Sequence, residues 1–587
     1  MKLKQTYRSL RFLLEPWWKH GKSLLVGSLF SALVLSPVSG WFSATLAQAV
    51  IAVAHAEEDF QAALRVGLIY LSVSLLLRIA KMLFDDFYCN WKEREIEGII
   101  EEAIYQKALN TDYRHYDDPA FFDSYQLATE KFAAQSSALR KNIFSVLGES
   151  TRFLVYAYLL GSHSIALFLI VFFCSIFVAC AQIYWSKVSV EREGKRIVQN
   201  RKASYVQRLF FDRTVVADML SSHIRIPLFR LFNSSIKEQV AIYKEYRVKE
   251  FIIDLLVSIT QLGTTFSVPV YVTWGLLSGT MQDIGVFATL IAASTALKET
   301  MNNLGWWVSQ VSLGISYSQK VQQFFHIKSE IEPSTNGLTP VNTPFSVQFD
   351  HVSYTYPNGD FGLHDLNFSI QPGQKIAIVG ENGAGKTTLT KLLLRLYNPN
   401  TGRILINDKP VADYSVSALR NRIGVVFQNT SAYALTVREN MIAYTPCDDE
   451  QLRADLVQLG LPLDLDANVT REFYQDGVVL SGGASQKLCL SRLLHGHFGL
   501  LILDEPSSAL DPIAEYDLAK LFFQNSSTTT IMIAHRLSTV VEADKILLLS
   551  SGKILASGTH PQLMEGCALY REMFTRQAEG YQKDGSL

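Results

Sequence analysis

Residues 23–305 hold apolar runs long enough to cross a lipid bilayer, and nothing else narrows the possible folds of this chain as sharply. About 20 helical residues span the hydrocarbon core of a membrane. A backbone at that depth has no water to bond, so runs of this kind are satisfied as helices. Runs near 23–53, 62–86, 143–161, 164–186, 251–277 and 284–305 predict six spans, several continuing as helix beyond the bilayer. Pro37 and Pro269 fall inside spans and predict kinks, tolerated where neighbouring helices satisfy the freed carbonyls. At 587 residues the chain has room for a soluble domain as well.

Basic residues orient the spans. Lys2, Lys4, Arg8, Arg11, Lys19 and Lys22 precede the first one, and the long loops at 87–142 and 187–250 are rich in Lys and Arg. The short turns at 55–59, 161–163 and 279–283 carry neither. The positive-inside rule therefore predicts a multi-pass protein of the cell (plasma or inner) membrane with both termini in the cytosol. The basic start and the small residues Ser36 to Gly40 imitate a secretory signal, but cleavage there would remove one of six spans and the parity that keeps the soluble half inside. Residues 1–22, with Trp17-Trp18, predict a cytosolic helix lying at the membrane interface. The net charge of −1 suggests no nucleic-acid partner. Six cysteines lack C-x-x-C or metal spacing, and reduced thiols are the reading.

The second half carries phosphate chemistry. Lys375 to Val379 reads as a strand and Leu389 to Leu396 as a helix, and between them lies Gly380-Glu381-Asn382-Gly383-Ala384-Gly385-Lys386-Thr387-Thr388. Glycines at those spacings let successive N–H groups curl round a β-phosphate at a helix N-terminus. Lys386 is placed to reach the β/γ-phosphates and Thr387 to ligate Mg2+, so ATP and Mg2+ are the expected cofactors. Leu501 to Leu503 reads as a buried strand ending in Asp504, placed to hold Mg2+ through water, and Glu505, placed to polarise the attacking water. Upstream, Leu480-Ser481-Gly482-Gly483 opens a helix; alone it is a cap, but ahead of a strand ending in Asp-Glu it becomes a second phosphate-seeking surface.

Residues 345–575 thereby resemble the ATP-binding cassette (ABC) family. The resemblance implies that Tyr356 stacks on adenine, that Gln428 touches Mg2+ and signals to the membrane domain, and that His535 contacts the γ-phosphate. It also implies that Ser508-Ala509-Leu510-Asp511 crosses a dimer interface. Two cassettes would sandwich two ATP molecules, Ser481, Gly482 and Gly483 of one chain completing the site opened by Lys386 of the other. Ala484 stands where the family usually has glutamine, and Gln475 near where many multidrug-type exporters have glutamate. The catalytic groups Glu505, His535 and Gln428 are all present, so the site reads as hydrolytic.

Six spans followed by one cassette resemble an ABC exporter half-transporter: an α-helical membrane domain at 23–329, a Pro/Ser/Thr/Asn-rich linker at 330–344, and an α/β P-loop cassette at 345–587. The resemblance implies a partner that is a second copy or a related half-transporter, and coupling helices in the two cytosolic loops. Asp118 to Asp123, with Phe121 and Phe122 as anchors, and Asp218 to His223 are the candidates. Flanks around Arg471–Gly477, Leu435–Asn440 and Asp504–Glu515 look like the nisin-type lanthipeptide exporters. The expected cargo is a peptide or peptide-like compound, its leader cleaved by another protein because only about twenty residues precede the first span. A lipid or hydrophobic small molecule is the alternative cargo, and an importer on the same fold another. A spanless ABC ATPase of translation or DNA repair is disfavoured by residues 23–305. In-span charges are costly in lipid and normally face a cavity or a partner, which makes Arg78, Glu149, Arg152 and Asp254 cargo-cavity candidates. Glu149 and Arg152 are also spaced to pair with each other on one helix face.

Overall fold

The structure is a computed structural model that describes residues 2–57, 60–211, 213–278, 284–331, 337–341, 343–357, 359, 361–428, 431–506, 512–523 and 528–584. The chain divides into two compact units, one of Met1–Asn110 with Pro119–Ile327 and one of Thr111–Asp118 with Lys328–Leu587.

The first unit is helical. Its helices are α1 (Lys2–His20), α2 (Lys22–Phe30), α3 (Ser36–Glu57), α4 (Phe60–Met82), α5 (Asn90–Leu109), α6 (Pro119–His163), α7 (Ile165–Leu209), α8 (Arg213–Ser221), α9 (Arg225–Leu277) and α10 (Ile284–Phe325). π-helical stretches at Ser31–Leu35 and Leu83–Cys89 join α2 to α3 and α4 to α5. The first has a cause in the sequence. Pro37 has no N–H to close the turn before it, and the Ser36 N–H reaches back to the Ser31 carbonyl instead. At Pro269, α9 simply runs on as helix.

Five stretches among the described residues are long and apolar enough to cross a membrane: Lys22–Leu46, Phe60–Leu109, Ser124–His163, Ile165–Leu209 and Arg225–Gly275. The expected run at 284–305 is helical, within α10, and carries Lys298 and Glu299. The Lys298 ammonium donates to the Gln261 carbonyl at 3.1 Å and the Thr265 hydroxyl at 2.6 Å, so it is matched by polar groups of α9. Where α6, α7 and α10 meet, Leu160, Leu290, Ala293 and Leu297 are fully buried.

Helix α1 differs from a simple interfacial helix. Trp17 is fully buried, its indole N–H donating to Ser136 at 2.7 Å and its ring lying under the Arg140 guanidinium. Trp18 faces outward, 68% exposed. One tryptophan of the pair is therefore core.

The second unit is a cassette of two sheets. Strands β1 (Val347–Thr355), β2 (Gly362–Ile370), β4 (Thr401–Ile406) and β5 (Lys409–Pro410) form an antiparallel sheet in the order β2-β1-β4-β5. The other sheet contains β3 (Lys375–Gly380), β6 (Ile423–Val426), β7 (Leu500–Asp504), β8 (Thr529–Ile533), β9 (Lys545–Ser550) and β10 (Lys553–Gly558), in the order β10-β9-β3-β8-β7-β6. All its pairings are parallel except β9 with β10. Every residue of β3, β7 and β8 is buried, as expected of parallel strands covered on both faces. The helices are α11 (Lys386–Leu393), α12 (Val416–Arg420), α13 (Val437–Met441), α14 (Asp449–Gln458), α15 (Gly482–Ser491), α16 (Pro512–Phe523), α17 (His560–Gly566) and α18 (Ala568–Asp584). In open parallel sheets, ligands bind beyond the carboxyl ends of the strands. Four such ends lead into Gly380, Gln428, Asp504-Glu505 and His535.

The buried half of the tryptophan pair gives a prediction. Trp17→Ala removes a buried ring and its hydrogen bond and costs about 3–5 kcal/mol. It should lower the melting temperature of the detergent-solubilised chain clearly, while Trp18→Ala leaves it nearly unchanged. Equal effects of the two substitutions would contradict the packing of α1.

Candidate functional site

The phosphate loop is set by backbone geometry. Gly380 closes β3 at φ 151°, where a Cβ would lie 2.2 Å from the Leu549 carbonyl oxygen. Gly385 precedes α11 at φ 105°, where a Cβ would lie 2.4 Å from Leu363 Cδ2. Both positions need glycine. Between them Glu381, Asn382 and Gly383 are exposed while Ala384 is buried, so the loop is anchored underneath and open on top. Lys386 is buried and bends over the loop, its ammonium donating to the carbonyls of Gly380 at 2.8 Å and Glu381 at 3.3 Å. Burial pulls its pKa below the usual lysine value, with Glu505 and Asp504 opposing.

Asp504 and Glu505 stand at the end of β7 in contrasting surroundings. Asp504 is fully buried, and neither carboxylate oxygen has a hydrogen-bond partner among the described residues. Burial pushes its pKa up to about 6; Thr387, near it but outside bonding geometry, favours the charged form. An orphaned carboxylate beside a threonine hydroxyl fits a hard cation with oxygen ligands. Glu505 takes φ 53°, the left-handed region that non-glycine residues enter at a cost, which turns its side chain away from the strand. Its N–H donates to the Ile533 carbonyl at 2.9 Å, and its own carbonyl accepts from Gln486 at 3.4 Å. The carboxylate is flanked by His535 Nε2, 2.5 Å from Oε1, and by Gln428, which donates to Oε2. The structure thus brings Gln428, Glu505 and His535 together.

The sequence reading missed two glutamines here. Gln486 holds the Glu505 backbone, and Gln577 of α18 clamps the histidine loop, accepting from the Leu537 N–H at 2.8 Å and donating to the His535 carbonyl at 2.8 Å. Neither belongs to a motif, and a lone glutamine on a helix carries no signal of its own.

Tyr356 sits in an aromatic cluster with Tyr354, Phe361 and Tyr397, its hydroxyl 3.3 Å from that of Thr388. Segment Thr111–Asp118, between α5 and α6, belongs to the cassette unit and joins this cluster. The Tyr397 hydroxyl donates to Asp117 at 2.5 Å, Tyr113 meets the Tyr397 ring edge to face at 5.7 Å, and Lys391 lies over the Tyr113, Tyr397 and Tyr356 rings. Asp112 accepts from the backbone N–H of Glu330 at 2.7 Å.

The expected anchors Phe121 and Phe122 lie just past that segment. Pro119 is the first residue of α6, so both phenylalanines lie in its opening turn. Phe121 is buried within the helical unit, 5.9 Å from the Phe324 ring, and Phe122 is 46% exposed. Asp118 remains with the cassette segment, and Asp218 is exposed on α8.

Ser481 caps α15 by accepting from the Ala484 N–H at 3.2 Å, leaving Gly482 exposed and Gly483 partly so. Ala484 packs its methyl against the cluster around Leu456 and Leu488. The expected interface loop at 508–511 lies outside the described residues. Of the in-span charges, Glu149 and Arg152 pair at 3.1 Å, whereas Arg78 and Asp254 are exposed on α4 and α9, apart from that pair.

The ABC transporter family model matches residues 363–508. A solved structure, described as a bacterial Atm1-family ABC exporter with ATP bound, superposes with TM-score 0.72 and 20% identity, covering 95% of this chain and 98% of that one. The chain is built as an ABC half-transporter. At that identity the likeness to the Atm1-family exporter is one of fold. An ATP-dependent lipid A-core flippase of Psychrobacter cryohalolentis is 33% identical over 54% of this chain and 54% of its own length. The match thus spans about half of that relative. The subtilin transport ATP-binding protein SpaT of Bacillus subtilis is 26% identical over 92% of the half-transporter and 89% of its own length. The mitochondrial iron-sulfur clusters transporter ATM1 of Saccharomyces cerevisiae is 37% identical over 41% of this chain and 36% of its own.

The Asp504 environment predicts a pH-dependent stability. With its pKa raised from 3.8 to about 6, the folded chain keeps a proton that the unfolded chain has already released in that window. Stability from this group is therefore lost as pH rises through the window, by about 3 kcal/mol at most. Nucleotide-free Asp504→Asn should melt above the unsubstituted chain at pH 7.5, the gap closing toward pH 4. A gap that persists at pH 4 would contradict this origin.

Proposed function

We propose that this half-transporter is an ATP-driven exporter that moves a peptide or peptide-like compound out of the cytosol. One observation carries the ATPase part: Glu505, turned out of β7 by its backbone, is flanked by His535 and Gln428 beside the Asp504 carboxylate and the phosphate loop. Lys386 and the loop N–H groups hold the phosphates, Glu505 orients and polarises water, and His535 meets the γ-phosphate. Thr387, Asp504 and Gln428 would hold Mg2+, which when bound supplies charge neutralisation at the β/γ-phosphate oxygens. Tyr356 offers the adenine a ring. A second copy supplies Ser481 and Gly483 to complete each site, so the working form is a dimer in the cell membrane with both termini cytosolic.

Support for a peptide cargo comes from the relative named for subtilin transport, matched along nearly the whole chain, together with the motif flanks that resemble lanthipeptide exporters. The lipid A-core flippase likeness, confined to about half of each chain, favours lipid as the second reading. Tyr397, Asp117 and Tyr113 join Phe121 and Phe122 as candidates for the coupling contact.

Glu505→Gln should bind Mg-ATP yet hydrolyse it about 100-fold or more slowly, the scale of a lost acid–base group. Lys386→Ala should instead weaken nucleotide binding. Near-normal turnover in the first variant sinks the role of Glu505. In proteoliposomes a peptide panel should stimulate hydrolysis; stimulation by lipids alone would replace the peptide reading with the lipid one. Tyr397→Phe, which removes only the bond to Asp117, should keep basal hydrolysis in part and lose cargo stimulation. Intact stimulation there excludes this contact as the coupling route.

A further inference from the structure

His535 lies in a loop whose hold comes from outside the nucleotide site. Beyond β8 the chain passes through Ala534, His535 and Arg536 into a 3-10 turn, Leu537–Val540. Leu537 and Val540 are buried in the core beneath the large sheet, which fixes the far end of the loop. The His535 side chain is 43% exposed, so where it points depends on what holds its backbone. Two side chains brace the loop. The Arg536 guanidinium pairs with buried Glu515 of α16 at 2.8 Å. Gln577 of α18 bonds the loop twice through one amide, at the Leu537 N–H and at the His535 carbonyl, each at 2.8 Å.

Helix α18 is seated by its own apolar face. Tyr570, Met573, Phe574 and Gln577 fall at i, i+3, i+4 and i+7, one side of a helix. Tyr570 is fully buried, and Met573 and Phe574 pack against the same core that holds Leu537 and Val540. The Tyr570 hydroxyl is 2.8 Å from His560 Nδ1, and the His560 ring lies against Phe574 with centroids 4.7 Å apart. This stripe docks the helix and delivers its one polar member to the loop backbone. A methionine at 577 would continue the stripe equally well, so packing does not account for an amide there. An amide that gives its acceptor to one backbone group and its donor to another, two residues away, stops the loop from pivoting about either bond.

We propose that Gln577 is a positioning residue for ATP hydrolysis, holding His535 where it meets the γ-phosphate and so making turnover conditional on the docking of α18, a role that rests on the reading of His535 given above. Such a role shows in turnover and not in nucleotide binding, because Lys386 and the phosphate loop hold the nucleotide.

Basal Mg-ATP hydrolysis and Mg-ATP binding are measured on the full chain in phosphatidylcholine nanodiscs. Gln577→Met, which keeps the apolar stripe and removes both bonds, should lower kcat about tenfold, the scale of two neutral hydrogen bonds, with KM and Mg-ATP affinity unchanged. Arg576→Gln, at the exposed neighbouring position where the guanidinium pairs with Glu572, should leave all three unchanged. In a His535→Ala background, adding Gln577→Met should cost nothing further, the mark of two residues acting as one. A residue that merely stabilised the fold would lower turnover by the same factor in either background. Melting temperatures check folding; if Gln577→Met melts early, Gln577→Glu, which keeps the acceptor for Leu537 and loses the donor for His535, carries the same cycle. Wild-type kcat in the Gln577 variants beside a slow His535→Ala, or an equal loss in both backgrounds, overturns the positioning role and leaves the hydrolytic reading standing. A loss of the same size in Arg576→Gln assigns the effect to α18 as a whole and overturns it too. Wild-type turnover in His535→Ala removes the histidine from the reaction, and with it both the role given above and this one.

Discussion

Two carboxylates held at the end of a fully buried strand govern the cassette. Residues 500–504 are buried without exception, so Asp504 arrives at the site with its charge already disfavoured. A cation bound beside Asp504 would relieve that cost and would give a nucleotide's phosphates their counter-charge. Glu505 escapes the strand only by adopting a left-handed backbone, which the Ile533 and Gln486 bonds hold in place. Local strain at one residue gives two buried neighbours different surroundings: Asp504 has no hydrogen-bond partner among the described residues, and Glu505 meets His535 and Gln428.

Much of this was legible in the sequence because motif chemistry and strand burial coincide. Gly380 to Thr388 between strand and helix, and an apolar run ending in Asp504-Glu505, each carry a physical reason for their pattern. What failed to show depends on tertiary contact. Gln486 and Gln577 act through single hydrogen bonds between distant elements, and no periodicity announces them. The grouping of Thr111–Asp118 with the cassette did not show in the sequence, because Asp118-Pro119 reads as a turn, whereas Pro119 starts α6 and places Phe121 against Phe324. Trp17 shows the same limit: an aromatic pair beside basic residues suggests an interface, and the Ser136 hydroxyl makes one of them core.

The helical unit follows the converse rule, that polar groups at membrane depth must find partners or serve a ligand. Lys298 finds the Gln261 carbonyl and the Thr265 hydroxyl; Arg152 finds Glu149; the backbone before Pro37 finds a π turn.

The central claim is that phosphate chemistry at Glu505 drives movement of a peptide. It is tested most directly by recording phosphate release and peptide accumulation together in inside-out vesicles, as the share of Glu505→Gln chains in the membrane is raised. The account predicts that both fall in step and stop together, while Mg-ATP binding persists. Peptide accumulation that continues after hydrolysis has ceased would contradict it.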